Sequence, residues 1–82
     1  MKELRQALKD NKVIIGTDRV LKKVRVGKLS MVYLASNCPQ VVREDVKHYA
    51  NLYNIKVNEL KENNEELGVI CKKHFFISVL GY

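Results

Sequence analysis

The chain has 82 residues, of which 46% are hydrophobic, and its 15 Lys and Arg against 9 Asp and Glu give a net charge of +6. This composition is typical of a folded domain and excludes a disordered tail, and the length predicts one domain over residues 1–82. Two cysteines are too few for a disulfide scaffold, and the charged start MKELRQALKD contains no apolar core for a signal peptide or a membrane span. We therefore expect a soluble protein of a reducing compartment with an anionic partner.

The positive charge is concentrated in the first third of the chain. Residues 1–28 hold nine basic and three acidic residues, which accounts for the whole excess of +6. Residues 29–82 hold six of each sign and are neutral. Such a distribution predicts a localised anion-binding face. The alternative is a solvated basic helix that has no partner.

Hydrophobic periodicity and turn residues predict helices and strands in strict alternation. Pro39 is expected in the first turn of the third helix, and Asn63 with Glu66 resembles a capping box. The order predicts an α/β fold with one sheet of largely parallel strands, right-handed crossovers and helices on both faces. The predicted elements are helix 2–11, strand 13–16, helix 17–26, strand 30–35, helix 41–53, strand 55–60, helix 65–73 and strand 75–80.

The junction at Gly16 is the strongest local candidate for a binding site. A strand ends at this glycine, whose missing side chain allows a ligand to approach, and a helix follows with Thr17 as its expected cap. We expect the helix N-terminus and the nearby Arg19, Lys22 and Lys23 to form a phosphate-binding site together. Alternatively, the glycine only completes a turn. The segment lacks the glycines and lysine of the common nucleotide-binding loops, which disfavours a small nucleotide.

Two cysteines and two histidines raise the question of a zinc site. Only Cys71 and His74 are as close as the ligands of a zinc knuckle, whereas Cys38 and His48 are widely separated. We expect Cys71 to be a buried core thiol and His48 to be exposed. No motif for a Cys-His nucleophile surrounds these residues. The sequence therefore predicts no metal, no cofactor and no enzymatic activity.

Aromatic residues could stack on extruded RNA bases. Helical spacing assigns Tyr49 and Tyr53 to the core instead. In a strand over 75–80, Phe75 and Phe76 would point to opposite faces, so one would be buried and the other would face a partner.

Three motifs in order carry a family resemblance: Ile-Ile-Gly-Thr after the first helix, Ala-Ser-Asn-Cys-Pro before a helix that contains His-Tyr-Ala, and Asn-Asn-Glu-Glu-Leu-Gly before a final apolar strand. This arrangement resembles the kink-turn RNA-binding proteins of archaeal and eukaryotic ribosomes, most closely their large-subunit branch, and it spans nearly the whole chain. The resemblance implies a three-layer α/β/α sandwich around a four-stranded mixed sheet, in which one strand is antiparallel.

The resemblance also implies that RNA lies across three loops, at residues 16–22, 37–43 and 72–77. The backbone at the first loop would approach the RNA backbone, Asn37 would contact a base or sugar, and Phe75 with Ile77 would pack on an unpaired nucleotide. Four cations, Lys22, Arg43, Lys72 and Lys73, would bind phosphates. The implied RNA-binding residues are Gly16, Thr17, Asp18, Arg19, Lys22, Asn37, Arg43, Lys72, Lys73, Phe75 and Ile77.

Two positions depart from the guide-RNA branch of the family. Asp18 and Arg19 stand where that branch has Asn-Glu, which reads guanines. The Asp18 carboxylate could accept hydrogen bonds from a guanine amino edge, or it could complement the helix N-terminus. The last loop, Lys-Lys-His-Phe-Phe, replaces an Ile-Glu-Val-Pro type and favours the ribosomal branch.

The expected function is that of a structural constituent of the large ribosomal subunit, which clamps a kink-turn of ribosomal RNA in the cytoplasm. Other ribosomal proteins would be its partners, membranes would not, and it would be a monomer outside the ribosome. One alternative is a stand-alone kink-turn protein of guide-RNA or RNase P particles. Another is a protein-interaction module of the same fold, which predicts an acidic or neutral face where this chain is basic.

Overall fold

Four helices alternate with four short strands along residues 2–82, the part of the chain that this computed structural model describes. The order is the predicted one, and the capping box at Asn63 and Glu66 is confirmed at the start of the last helix. The elements are α1 (Lys2–Lys9), β1 (Ile14–Ile15), α2 (Thr17–Val24), β2 (Met31–Leu34), α3 (Gln40–Tyr53), β3 (Lys56–Glu59), α4 (Asn64–Ile70) and β4 (Val79–Gly81).

The strands form one mixed sheet in the order β1-β4-β2-β3. Strand β4 is antiparallel to both of its neighbours, with Ile15 opposite Leu80 and Leu34 opposite Val79. Only β2 and β3 are parallel, with Val32 opposite Val57. The mixed sheet with one reversed strand is therefore confirmed. Three of the four strands run in the same direction, as the element order predicts, but β4 lies between β1 and β2, so two of the three strand pairings are antiparallel.

The path of the chain after α4 explains the reversal of β4. Helix α4 has seven residues and rises only about 10 Å, after which the chain turns back. The Ile77 amide donates to the carbonyl of Asn64 at 3.0 Å, so the loop over residues 71–78 returns to the beginning of α4. The chain consequently enters β4 from the sheet edge at which β3 ended.

The sheet separates two apolar clusters. Helices α2 and α3 cover one face, where Val32, Leu34 and Val46 are fully buried. Helices α1 and α4 cover the other face, where Leu4 and Tyr33 belong to the second cluster. Because consecutive residues of β2 point to opposite faces, this strand contributes to both clusters. The three-layer α/β/α arrangement follows. None of the helices within residues 2–82 has both the length and the apolar character needed to cross a membrane.

All four strands are shorter than predicted, β2 and β3 by one residue at each end, and the first and last strands differ in ways that affect the site. The predicted buried strand 13–16 is a half-buried edge strand of two residues. The last strand begins at Val79, so Phe75 and Phe76 lie in the preceding loop and expose 56% and 66% of their surface. Strand alternation does not apply to a loop, and the expectation that one phenylalanine is buried is wrong. Tyr49 packs against the core as predicted, but Tyr53 is 49% exposed.

A residue with positive φ follows each helix. Such left-handed residues close helix C-termini, and glycine or asparagine usually occupies them. After α4, Lys72 takes this position, and the amides of Lys72 and Lys73 donate to the carbonyls of Val69 and Gly68. The four residues are Asn11 (φ 60), Gly27 (φ 68), Asn54 (φ 55) and Lys72 (φ 57).

Candidate nucleic-acid interface

The carboxyl edge of the sheet brings three loops together. The Gly16 amide donates to the carbonyl of Val79 at 3.2 Å, and the Ala35 amide donates to the carbonyl of Ser78 at 2.9 Å. The start of β4 is thereby held between the ends of β1 and β2. The three segments singled out in the sequence, residues 16–22, 37–43 and 72–77, consequently share one edge of the molecule. We call this surface the loop edge.

Helix α2 begins at the loop edge, and its N-terminus has no side-chain cap. Its N-cap is Gly16 and not the predicted Thr17, which is the first helical residue, and no side chain of residues 4–82 caps the helix with a hydrogen bond. Gly16 has a φ of 113°, which favours glycine, and no atom lies within 4 Å of the place where a Cβ would stand. Amide groups at the positive end of the helix dipole are thus accessible to an anion.

Several cations on α2 and on the last loop have no carboxylate partner. Among the described side chains, residues 4–82, the ion pairs are Arg43–Glu59 at 3.0 Å and Lys47–Glu59 at 3.2 Å. Arg19 and Lys22 on α2 are exposed and take part in neither pair, and the same holds for Lys72 and Lys73 on the last loop. Their charges are therefore available to phosphates. Asp18 is an exposed acid in the first turn of α2, where it complements the helix dipole.

Asn37 is hydrogen-bonded to the start of α4. Its Nδ2 donates to Oδ1 of Asn64, and the Asn64 amide donates to Oδ1 of Asn37, both at 2.9 Å. The pair connects the loop after β2 to the start of α4. Both residues belong to the motifs named above, but nothing in the sequence indicates that they contact each other. One N–H and one lone pair of Asn37 remain for a base or sugar.

Arg43, in the first turns of α3, also holds the loop after β2. Its guanidinium donates to the Glu59 carboxylate at 3.0 Å and to the carbonyl of Ser36 at 3.2 Å. Its Nε is buried and has no hydrogen-bond partner among the described residues. These contacts give Arg43 a structural role in holding the loop, while its side chain is 24% exposed and its expected phosphate contact stays a prediction.

The last loop presents two aromatic side chains. Ile77 is only 1% exposed and packs in the cluster between α1, α4 and the sheet, so its side chain cannot pack on a nucleotide as expected. Phe75 and Phe76 are exposed instead. The predicted strand 75–80, which would bury one phenylalanine, begins four residues before the observed strand. Both rings are therefore available at the loop edge.

Both thiols are buried in the core. Cys38 belongs to the cluster under α2 and α3, and Cys71 belongs to the cluster under α1 and α4. Burial raises the pKa of each thiol above its ordinary value of 9.0, although the positive charge of Arg43 opposes this for Cys38 and that of Lys73 for Cys71. The thiols are protonated near neutral pH, which makes them poor nucleophiles. No metal-binding cluster of three or more side chains occurs in the part of the chain that the structure describes.

These features define a small three-layer α/β protein with a cationic loop edge. The chain belongs to the ribosomal protein L7Ae/L30e/S12e/Gadd45 family, which it matches over residues 1–82. This is an RNA-binding, structural family and not a family of enzymes. The resemblance found in the motifs is thereby confirmed.

Particular relatives point to the large subunit. The chain is 41% identical to the large ribosomal subunit protein eL30 of Saccharolobus solfataricus over 95% of its own length and 72% of that protein. It is 43% identical to eL30 of Methanocaldococcus jannaschii, with 96% and 72% covered. A solved structure of a protein with unknown function from Bacillus halodurans C has a TM-score of 0.82, 26% identity, and coverage of 95% of this chain and 77% of that one.

Proposed function

We propose that this protein is a structural component of the large ribosomal subunit that clamps a kinked internal loop of ribosomal RNA. The eL30 relatives support the ribosomal role, with ribosomal RNA and other ribosomal proteins as partners in the cytoplasm. One observation carries the site: three loops converge at the loop edge, where the uncapped start of α2 lies among unpaired cations.

Phosphate binding would come from α2 and the last loop. The first-turn amides of α2 suit a phosphate oxygen, and Arg19 and Lys22 stand beside them to neutralise its charge. Lys72 and Lys73 would hold a second stretch of backbone across the edge. These contacts position the RNA but do not select its sequence.

Shape selection would come from the aromatic pair. A straight A-form duplex keeps its bases stacked inside, whereas a kinked loop exposes unpaired bases that can stack on aromatic rings. Phe75 and Phe76 are exposed for such stacking, and the free N–H of Asn37 can meet a base or sugar edge. A straight duplex would therefore gain only the phosphate contacts.

The charge of the loop edge favours RNA over the alternative of a protein-interaction module. Such a module predicts an acidic or neutral face, but Arg19, Lys22, Lys72 and Lys73 are all exposed there without ion-pair partners among the described side chains. A stand-alone particle that carries guide RNA would use the same contacts, so cellular location distinguishes it from a ribosomal role.

Gel shifts with a kink-turn RNA and a straight duplex of equal length test the clamp. We expect clearly tighter binding to the kink-turn, and a log–log salt slope of about −3 to −4 for four neutralised phosphates. Lys22→Ala should reduce the magnitude of this slope by about one. The matched change Lys56→Ala, on the outer strand β3, should leave it unchanged.

Equal affinity for both RNAs would refute kink-turn recognition. Loss of binding by Lys56→Ala to the same extent as by Lys22→Ala would place the interface elsewhere. Co-sedimentation of the tagged protein with large subunits supports the ribosomal role, while migration with small ribonucleoprotein particles would contradict it.

A further inference from the structure

A second cationic surface lies beside the last loop. A groove of about 570 Å³ runs between the end of α1, the edge strand β1 and the end of α4. Arg5 and Lys9 line it from α1, and Lys72 and Lys73 line it after α4. None of the lining residues that the structure describes is acidic. Among the side chains of residues 4–82, the groove therefore combines four positive charges without a carboxylate.

Its charges are not neutralised within the fold. All four cations are exposed, and the ion pairs of the described side chains are centred on Glu59 of β3, at the opposite end of the sheet. The C-termini of α1 and α4 carry partial negative charges, which disfavour an anion only weakly. Several of their end carbonyls already accept hydrogen bonds in the left-handed turns at Asn11 and Lys72. Four full positive charges dominate, so the groove favours an anionic occupant.

Apolar side chains also line the groove. Leu8, Ile15 and Ile70 line it alongside the cations. An isolated phosphate would leave these side chains uncovered, and a duplex keeps its bases inside its own stack. A single-stranded nucleotide meets both requirements, since its base can cover apolar side chains or stack on the Arg5 guanidinium while its phosphates meet the cations. The volume is within the range of sites that bind small organic ligands.

We infer that this groove binds a single-stranded segment of the same RNA, with an unstacked base on its apolar floor and the flanking phosphates between its cationic sides. The inference rests on the proposed function, because Lys72 and Lys73 belong to both surfaces and connect them. The groove would extend the RNA path from the loop edge to the α1 side of the molecule.

Binding to two RNAs tests the inference: a blunt-ended kink-turn and the same kink-turn with a short single-stranded extension. We expect the extension to tighten binding by about tenfold, comparable to the stacking of one base. The double variant Arg5→Ala/Lys9→Ala should bind the blunt RNA within about twofold of the unmodified protein and should lose the gain. Both residues are exposed on a helix, where alanine is favourable, so the variant should fold.

The double variant Lys28→Ala/Lys56→Ala removes the same charge away from the groove and should keep the gain. The inference fails if the extension gives no gain, if this control loses the gain equally, or if Arg5→Ala/Lys9→Ala weakens both RNAs alike. Failure of the proposed function has a different signature, which is a blunt kink-turn that binds no better than a duplex.

Methyl NMR spectra decide the site independently of the kink-turn. A free single-stranded oligoribonucleotide should shift the resonances of Leu8, Ile15 and Ile70, and Arg5→Ala/Lys9→Ala should reduce these shifts. Unperturbed methyl groups, or equal shifts caused by an acidic polyglutamate peptide, would overturn the assignment to RNA.

Discussion

Lys72 adopts a backbone conformation that a lysine seldom takes. Its φ of 57° lies in the left-handed region, where Asn11, Gly27 and Asn54 stand after the other helices. A side chain in this region costs roughly 1–2 kcal/mol relative to right-handed backbone. Strained residues of this kind concentrate at functional sites. The strain is consistent with a lysine that is retained for its charge at the junction of the loop edge and the groove.

Replacing Lys72 separates its charge from its strain. We expect Lys72→Gly to raise the free energy of unfolding by about 0.5–1 kcal/mol, because glycine tolerates positive φ and loses part of that gain to backbone entropy. Lys72→Ala keeps the strain and should not be stabilised. Both variants should weaken kink-turn binding equally, since each removes the same charge.

Urea unfolding measures the stabilities, and fluorescence anisotropy with RNA measures the affinities. A Lys72→Gly variant that is no more stable than Lys72→Ala would contradict the claim that the positive φ at this position costs folding free energy. Unchanged RNA affinity in both variants would remove Lys72 from the interface.

Individual site residues were predictable from the sequence where their surroundings consist of residues nearby along the chain. Gly16 and Lys22 belong to one strand-to-helix junction, so their neighbours along the chain already indicate their surroundings. Asn37 was placed correctly on a loop and Arg43 in the third helix, but their partners Asn64 and Glu59 are 27 and 16 residues away. Neither pairing has a local pattern. Whether such a side chain meets RNA or the fold is decided by tertiary contacts.

At the scale of elements, Gly68 controls how the last loop packs on α4. A Cβ at this helical position would collide with the backbone carbonyl oxygen of Phe75. The close approach allows the loop to return along α4 and to expose its two phenylalanines. In an exposed helix, changing glycine to alanine is normally stabilising by roughly 0.5–1 kcal/mol. Here the steric conflict reverses the expected sign.

We therefore expect Gly68→Ala to destabilise the protein by about 2 kcal/mol or more, because the obstacle is backbone and cannot rotate away. The displaced loop should also reduce the preference for kinked over straight RNA. Thermal unfolding should show a loss on the order of 10 °C, given roughly 4–8 °C per kcal/mol in a domain of this size. An unchanged or higher Tm would refute the packing argument. Gly16→Ala is a useful comparison, since its penalty comes from φ and not from a collision.

Elements themselves were more predictable than their connections. Apolar spacing located every helix, and the capping box of α4 was visible as Asn63 and Glu66. Two other helix starts were predicted one residue off, since the N-cap of α2 is Gly16 and not Thr17, and Pro39 is the N-cap of α3 and not a residue of its first turn. The start and direction of β4 were not visible from element order, because they depend on the return of the 71–78 loop to Asn64. An apolar run such as FFISVL has the same composition whether all of it or only its second half is paired.

At the scale of the whole molecule, the two buried thiols predict how stability changes at alkaline pH. Burial raises the native pKa of Cys38 and Cys71 above the value of 9.0 that applies when they are exposed. The stabilisation by these thiols is complete below about pH 9, and it is lost as the pH rises towards their native pKa, because the unfolded chain ionises first. No contribution from either thiol to pH dependence is expected between pH 6 and 8.

The variant Cys38→Ala/Cys71→Ala isolates this contribution. Its deficit in unfolding free energy relative to the unmodified protein should be constant from pH 6 to 8 and should narrow above pH 9. Each unit by which a native pKa is raised corresponds to about 1.4 kcal/mol. Urea unfolding at several pH values provides the comparison. A deficit that stays constant up to pH 10.5 would contradict the burial effect, as would one that widens.

The central position of β4 links the order of synthesis to the order of folding. Strand β1 pairs only with β4, and Ile14 lies opposite Gly81, almost the full chain away. Until residues 79–81 have left the ribosomal tunnel, β1 has no neighbour and β2 pairs only with β3. The ends of β1 and β2 meet only across β4, so a nascent chain that has not yet exposed residues 79–81 cannot assemble the loop edge. The loop edge therefore assembles late in synthesis, and a chain truncated before β4 should not form it.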